Sequence, residues 1–265
     1  MLALLTLLAG AALADAPPPS PPPLPPDEQP APHSSGDRRQ GPFTRDTYPS
    51  EVSARPLTLP AGMIRAGAAL DLDYIRLNTY SWATGLGIAG SYGLFDRIEL
   101  DAAASFGLSP LLEVERVGVS GAMLLIDSTA ADLAVTLGLD FTPFAGGLSP
   151  AVSLAFPGRL LFTDQLFLTF GAELLRLSLW PAVPQGALRM GMGGQLSSSV
   201  AVLVETDLLK LGWQALVFRR FVLPVEISAT AAVTRGFDLH ARAQVYSVTD
   251  PRLAGTFTLA GSAYF

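Results

Sequence analysis

Three groupings in this chain have the residue types and spacing to do chemistry: the carboxylate pairs Asp71-Leu-Asp73 and Glu205-Thr-Asp207, and the pair Asp238-Leu-His240. Residues two apart share a face only in an extended strand, so each works as a pair only if a strand carries it. An acidic pair facing an Asp-x-His pair can activate water for hydrolysis, provided both come within reach of one water. Carboxylates gathered without histidine do something simpler. Their field concentrates cations at a constriction, or their oxygens together hold Ca²⁺; no spacing here copies a known Ca²⁺ loop. His33 is the second of only two histidines and there is no cysteine, so a transition-metal centre, a thiol nucleophile and a disulfide framework all lack residues. A net charge of −6 argues against nucleic acid as a partner. No cofactor is expected, because Gly85-Leu-Gly-Ile-Ala-Gly90 and Gly191-Met-Gly-Gly194 open no helix and read as strand glycines.

The elements that must position these groups are strands. In 63–74, Ile64, Ala66, Ala68, Leu70, Leu72 and Tyr74 take one parity, and Arg65, Asp71 and Asp73 the other. The stretch 98–108 repeats the pattern, with Ile98, Leu100 and Phe106 set against Glu99 and Asp101. Each segment therefore has one apolar and one polar face. Twelve such strands are predicted, over 62–75, 82–92, 98–108, 114–126, 131–141, 150–162, 165–177, 186–196, 199–208, 219–233, 236–246 and 253–265. Short turns near Asp96, Asp127, Asp164, Ser198 and Arg235 alternate with longer connections at 76–81, 109–113, 142–149, 178–185, 209–218 and 247–252. Aromatics fall at the strand ends: Trp82, Phe141, Trp180 and Trp213 on the long-loop side, and Tyr92, Phe95, Phe162, Phe237 and Phe265 on the short-turn side. A hydrophobic fraction of 49% without any spanning-length apolar block, an even strand count and two aromatic girdles together predict an all-β fold, an antiparallel transmembrane β-barrel of about 12 strands, with 10 or 14 as alternatives. A soluble sandwich would place its aromatics in mid-strand.

Three regions follow along the chain. Residues 1–14 read as a signal peptide, with an apolar run ending at Ala12-Leu13-Ala14 and no Lys or Arg before it. Residues 15–61 read as a disordered periplasmic tether, since Pro17–Pro32 alone carries ten prolines. Residues 62–265 read as the barrel. Its ending, Phe257-Thr-Leu259-Ala-Gly-Ser-Ala-Tyr-Phe265, alternates and stops on an aromatic. That is the strand the barrel assembly machinery is expected to receive, with outer-membrane lipid around the wall. A periplasmic protein or peptidoglycan is the expected partner of the tether.

Tyr92-Gly93-Leu94-Phe95-Asp96-Arg97-Ile98-Glu99-Leu100 resembles the periplasmic hairpin of outer-membrane transporters of the phenol-degradation meta-pathway type. Phe162-Thr-Asp-Gln-Leu-Phe-Leu168 is a degraded second copy, and Arg55-Pro-Leu-Thr-Leu-Pro-Ala-Gly62 is similar to the segment leading into uncharacterised Gram-negative barrels. The resemblance implies transport and assigns no site residues beyond the turn motif Tyr92, Gly93, Asp96 and Arg97. A second likeness is to omptin-type barrel proteases, through Asp71-Leu-Asp73 and Asp238-Leu-His240. On the predicted topology these pairs lie near opposite mouths, so an enzyme is not expected.

By parity the inward acids are Asp71, Asp73, Glu99, Asp101, Asp132, Asp140, Glu173, Glu205, Asp207, Glu226 and Asp238, against Arg65, Arg116, Arg189 and Arg242. Small inward neighbours such as Gly85, Gly87 and Ala89 leave a narrow wet cavity. Asp71, Asp73, Asp140, Glu173, Glu205 and Asp207 are the candidates for a selectivity ring at the outer mouth. The plainer reading of the same acids is pairing that keeps a lumen wet. The expected function is a porin-like bacterial outer-membrane channel for small solutes, passive or weakly selective and cation-preferring. The competing reading is a non-conducting structural barrel whose Pro-rich arm binds in the periplasm.

Overall fold

The computed structural model describes residues 43–76, 80–109, 112–144, 147–171, 175–179, 182–211, 224–245 and 254–265, all within one compact unit, Arg38–Phe265. Among the described residues fourteen strand segments occur: β1 Ile64–Arg76, β2 Tyr80–Phe95, β3 Ile98–Ser109, β4 Glu113–Asp127, β5 Ala131–Phe144, β6 Gly147–Ala155, β7 Gly158–Leu161, β8 Leu166–Phe170, β9 Leu175–Leu179, β10 Ala182–Gln195, β11 Val200–Leu211, β12 Val225–Thr234, β13 Phe237–Val245 and β14 Ala254–Tyr264. Every pairing is antiparallel. The ring closes where β14 pairs with β1, from Arg65 opposite Tyr264 to Ile75 opposite Ala254, and where β10 pairs with β11. Since β5 pairs with both β6 and β7, and β10 with both β8 and β9, each couple is one interrupted strand. The fold is a closed twelve-stranded antiparallel barrel, as the alternation predicts.

Both interruptions have local causes. Pro157 lacks an N–H and cannot continue a ladder, and its carbonyl accepts from Ala134 N–H at 2.9 Å instead. Gly171 adopts φ +74°, a conformation that favours glycine. Beyond it the alternation slips by one residue. Thr169 faces the lumen, but in β9 it is Arg176 and Ser178 that face inward, reaching Asp140 at 3.8 Å and Ser149 at 3.2 Å. An unbroken alternation would have turned Arg176 to the outside.

The wall is apolar outside. Leu70, Ile88, Val119, Leu137, Val204 and Ile227 are exposed on it, and Tyr92, Phe95, Phe162, Phe237 and Phe265 are exposed at the short-turn end. At the other end Trp82 is exposed and packs against Tyr74, with ring centroids 5.8 Å apart and tilted by 46°. Trp180 and Trp213 lie outside the described residues. Strands run further than the periodicity suggests. Residues 142–149, read as a loop, pair as Pro143 with Leu148 and Phe144 with Gly147. Likewise Ala182 pairs with Leu179. With 16 residues at ~3.3 Å each and a tilt of ~40°, β2 rises roughly 40 Å, well past an apolar band of ~25 Å.

The largest departure from the sequence reading precedes β1. Residues 43–61, expected as the end of an extended disordered tether, fold into the short-turn end of the barrel. Tyr48, Ser53, Arg55, Thr58 and Leu59 are buried there, Leu59 to 1% exposure, and two single-turn 3₁₀ helices, Arg45–Thr47 and Val52–Ala54, shape the segment. Pro56 and Pro60 bar it from pairing as a strand. Its remaining buried N–H groups must find other acceptors, and the barrel's side chains supply them. Ser53 N donates to Gln195 Oε1 at 3.3 Å, Leu59 N to Glu99 Oε2 at 2.7 Å and Ala61 N to Asp96 Oδ1 at 3.2 Å. Residues 15–42 of the expected tether and the signal peptide lie outside the described residues.

Candidate functional site

Two polar layers occupy the barrel interior. The first binds the inserted segment. The Arg55 guanidinium forks onto Asp238, with Nη2 to Oδ1 at 3.0 Å and Nη1 to Oδ2. Tyr264 donates its hydroxyl to the same carboxylate at 2.9 Å, and the guanidinium lies 5.3 and 5.6 Å from the ring centroids of Tyr48 and Tyr264. Its Nε donates to the Pro49 carbonyl at 2.8 Å. Across the barrel, Arg159 from β7 donates to Asp132 from β5 at 2.6 Å, to the Val52 carbonyl at 2.9 Å and to the Arg55 carbonyl. Asp238 is 0% and Asp132 1% exposed. Ions this buried survive only when paired and hydrogen-bonded, and these are. Burial works against the Arg55 charge, but its hydrogen bond and attraction to Asp238 outweigh that and raise its pKa. Burial pushes the Tyr48 phenol up, so it stays neutral.

The second layer is a cavity of about 550 Å³ in mid-barrel, walled largely by Gly67, Ala69, Gly87, Ala89, Ala103 and Gly138. Asp101, Arg116, Ser120 and Asp140 also line it. Arg116 grips Asp140 through Nη2 at 2.6 Å and Nε at 3.0 Å. Asp101 accepts from Ser91 at 2.6 Å and lies 3.6 Å from Arg65, which also pairs with Glu99 at 2.9 Å. Small residues hold space open while fixed charges keep it wet.

The candidate selectivity residues divide. Asp71 and Asp73 on β1, Asp140 on β5, and Glu205 and Asp207 on β11 sit on three sides of the ring, four strands apart. Asp140 is bound by Arg116, and Asp207 by Arg189 at 3.1 Å. Asp71 and Asp73 instead accept hydroxyls from Thr258 at 2.5 Å and from Thr256, and Glu205 accepts from Thr169 at 3.0 Å. Among the described residues these three have no cation within salt-bridge distance. Glu173 lies outside the described residues. Arg159 and Arg176 also reach acids inside the barrel, Asp132 and Asp140, beyond the four arginines expected from parity. Arg159 shares the parity of Ser153 and Ala155 and was readable, whereas the slip after Gly171 concealed Arg176.

The turn motif has a use that its sequence did not reveal. Gly93 and Asp96 receive the inserted segment: Gly62 N donates to the Gly93 carbonyl at 2.7 Å and Gly93 N to the Met63 carbonyl at 2.9 Å. The Arg97 carbonyl accepts from Leu124 N at 2.8 Å, and Tyr92 points outward. At the chain end, Phe257 and Leu259 lie opposite Leu72 and Leu70 on β1, and Phe265 N donates to the Ile64 carbonyl at 2.9 Å. The two hydrolase-like pairs are closer than opposite mouths would put them. His240 faces Ala260, which faces Ala69, so His240 and Asp71 are two strands and two residues apart, still roughly 10 Å across the sheet. Asp238 is taken by Arg55, and His240 Nδ1 is 3.0 Å from Thr230 Oγ1.

No protein-family model matches the chain, and no curated protein matches it in sequence. Solved structures do match in fold. A KdgM porin in complex with disordered oligogalacturonate aligns with TM-score 0.54 at 9% identity, over 74% of this chain and 99% of that one. An outer membrane channel from Pseudomonas putida F1 aligns with TM-score 0.54 at 8% identity, over 78% and 97%. The NanC porin aligns with TM-score 0.51 at 9% identity, over 74% and 98%. Likeness at such identity speaks for architecture alone, and what is shared is the antiparallel barrel of these outer-membrane proteins.

Proposed function

We propose that this chain is a bacterial outer-membrane channel for small polar solutes, with a preference for cations. The observation that carries the reading is the combination of an apolar outer wall with a roughly 550 Å³ interior of glycine, alanine and fixed charge. A barrel that merely filled itself would use bulky side chains there. The cation preference rests on Asp71, Asp73 and Glu205, whose partners are threonines, while most other lumen carboxylates are matched by arginine. The resemblance of 92–100 to the hairpin of phenol-degradation meta-pathway transporters supports transport without naming a solute. Insertion through the terminal strand, which carries Phe257, Leu259 and Phe265, belongs to the same reading. The test is conductance of the purified protein in a planar bilayer. Discrete steps with K⁺ favoured over Cl⁻ support the channel.

One observation favours the second reading, a structural barrel that conducts nothing. Residues 43–61 occupy the short-turn end, and a segment fixed there permanently would block flow. Silence in the bilayer, with peptidoglycan or a periplasmic protein retained through 15–42, is the result that would select it.

A further inference from the structure

The inserted segment meets the barrel across a surface shaped to receive it. A Cβ on Gly93 would fall 1.9 Å from the Pro60 carbonyl oxygen and 2.8 Å from that of Leu59, so only glycine admits the backbone that closely. Three groups of side chains grip the segment from different sides of the ring. Asp96 takes Ala61, Asp238 takes Arg55, and Arg159 takes the carbonyls of Val52 and Arg55. Ser53 adds a hydroxyl donated to the Asp164 carbonyl at 3.0 Å.

The chemistry of this contact is unlike that of a permanent core. Its apolar part is small, formed by Tyr48, Leu59, Met63 and Tyr264 with Phe43 against them. The rest consists of carboxylates, guanidinium groups and backbone amides. Withdrawal of a segment held by apolar burial would expose greasy surface to water. Withdrawal of this one uncovers Asp238, Asp132, Arg159 and Glu99, all of which a wet lumen solvates well. The barrel also closes without it, because the ladders from β1 round to β14 are continuous. The grip is thus specific in place and reversible in kind.

Building on the channel reading above, we propose that residues 43–61 are a displaceable plug, latched by Arg55 on Asp238 and seated on Gly93 and Asp96, and that release of the plug opens the short-turn end. The absence of cysteine makes the test clean. Thr58 is the reporter, since it is 1% exposed and its hydroxyl has no hydrogen-bond partner among the described residues; Thr58→Cys therefore removes none of the described bonds. Ser53→Cys with Asp164→Cys supplies a lock that oxidation closes and dithiothreitol opens. Heat-modifiable migration on a gel confirms that each variant is folded. Two quantities are read on the full chain: labelling at position 58 by a membrane-impermeant maleimide, followed by peptide mass, and single-channel conductance.

A displaceable plug predicts labelling at least tenfold slower with the lock oxidised than reduced. Conductance should fall on oxidation and return with dithiothreitol, and Arg55→Ala should raise the open fraction. A conducting barrel indifferent to the lock and to Arg55→Ala overturns the plug while leaving the channel intact. A barrel silent in every form, Arg55→Ala included, overturns both, even if labelling at 58 responds to the lock. Position 58 unlabelled in every folded form overturns the displacement itself.

Discussion

Arg55→Ala should loosen residues 43–61 far more than the loss of one surface ion pair would. The side chains of Arg55 and Asp238 are 9% and 1% exposed, so little solvent screens them. Truncation leaves the Asp238 carboxylate buried with the Tyr264 hydroxyl as its remaining donor. Breaking a buried pair from one side costs about 3–5 kcal/mol, and 1.4 kcal/mol is a factor of ten. The docked-to-released ratio of the segment should therefore drop by roughly two to three and a half orders of magnitude. The barrel strands, held by their own ladders, should be unaffected. Hydrogen exchange followed by mass spectrometry reads this directly, because Ser53 and Leu59 donate their amides to Gln195 and Glu99 only while docked. Peptides spanning 52–59 should lose protection in Arg55→Ala while peptides of β13 and β14 keep theirs. Arg55→Met with Asp238→Leu should recover much of the protection, since removing both charges leaves no orphan. Unchanged exchange over 52–59 in Arg55→Ala would show that the ion pair does not hold the segment.

Asp71→Asn with Asp73→Asn should reduce the K⁺ preference, measured as reversal potential across a salt gradient, and leave the fold unchanged, because an amide oxygen still accepts from Thr256 and Thr258. The wild-type preference should weaken at high salt, which screens the field. Identical potentials for variant and wild type would make these acids wall chemistry only. Leu70→Arg, in mid-β1 on the outer face and 56% exposed in the structure, should destabilise the membrane-inserted barrel by about 2–4 kcal/mol, read as a lower urea midpoint in bilayers. Thr58→Val should be neutral or stabilising by up to about 1 kcal/mol, because the buried hydroxyl it removes has no partner among the described residues; a lower melting temperature in detergent would contradict this.

Strand faces were legible because a wall between lipid and water writes its two environments into alternate residues. Asp101, Arg116 and Asp140 face inward as their parity requires, and the short-turn aromatics stand where an interface needs them. Alternation is blind to interruptions. Pro143 and Gly147 look like breakers, yet they pair across the β5–β6 ladder, and nothing near Gly171 announces the slip that turns Arg176 inward. The inserted segment was illegible for a deeper reason. Its amides are satisfied by Gln195 and Glu99, 142 and 40 residues away, so no local period marks it. Two traces were visible as motifs, the stretch 55–62 and the glycine-and-aspartate turn at 93–96, but nothing in the sequence joined one to the other.

The residues that hold the segment come from every part of the ring: Glu99 on β3, Asp132 on β5, Arg159 on β7, Gln195 on β10, Asp238 on β13 and Tyr264 on β14. None of these is near 43–61 in sequence, and the last two come from strands that complete the cylinder. Docking should therefore be ordered in time. The lead-in, though synthesised before any strand, has no complete binding surface until β14 has met β1. During biogenesis the lumen of an unfinished barrel should stay unobstructed, so that occupancy by residues 43–61 would record that the seam has closed. Pulse-labelled exchange should accordingly show protection of 52–59 appearing after protection of the β1–β14 ladder and never before it.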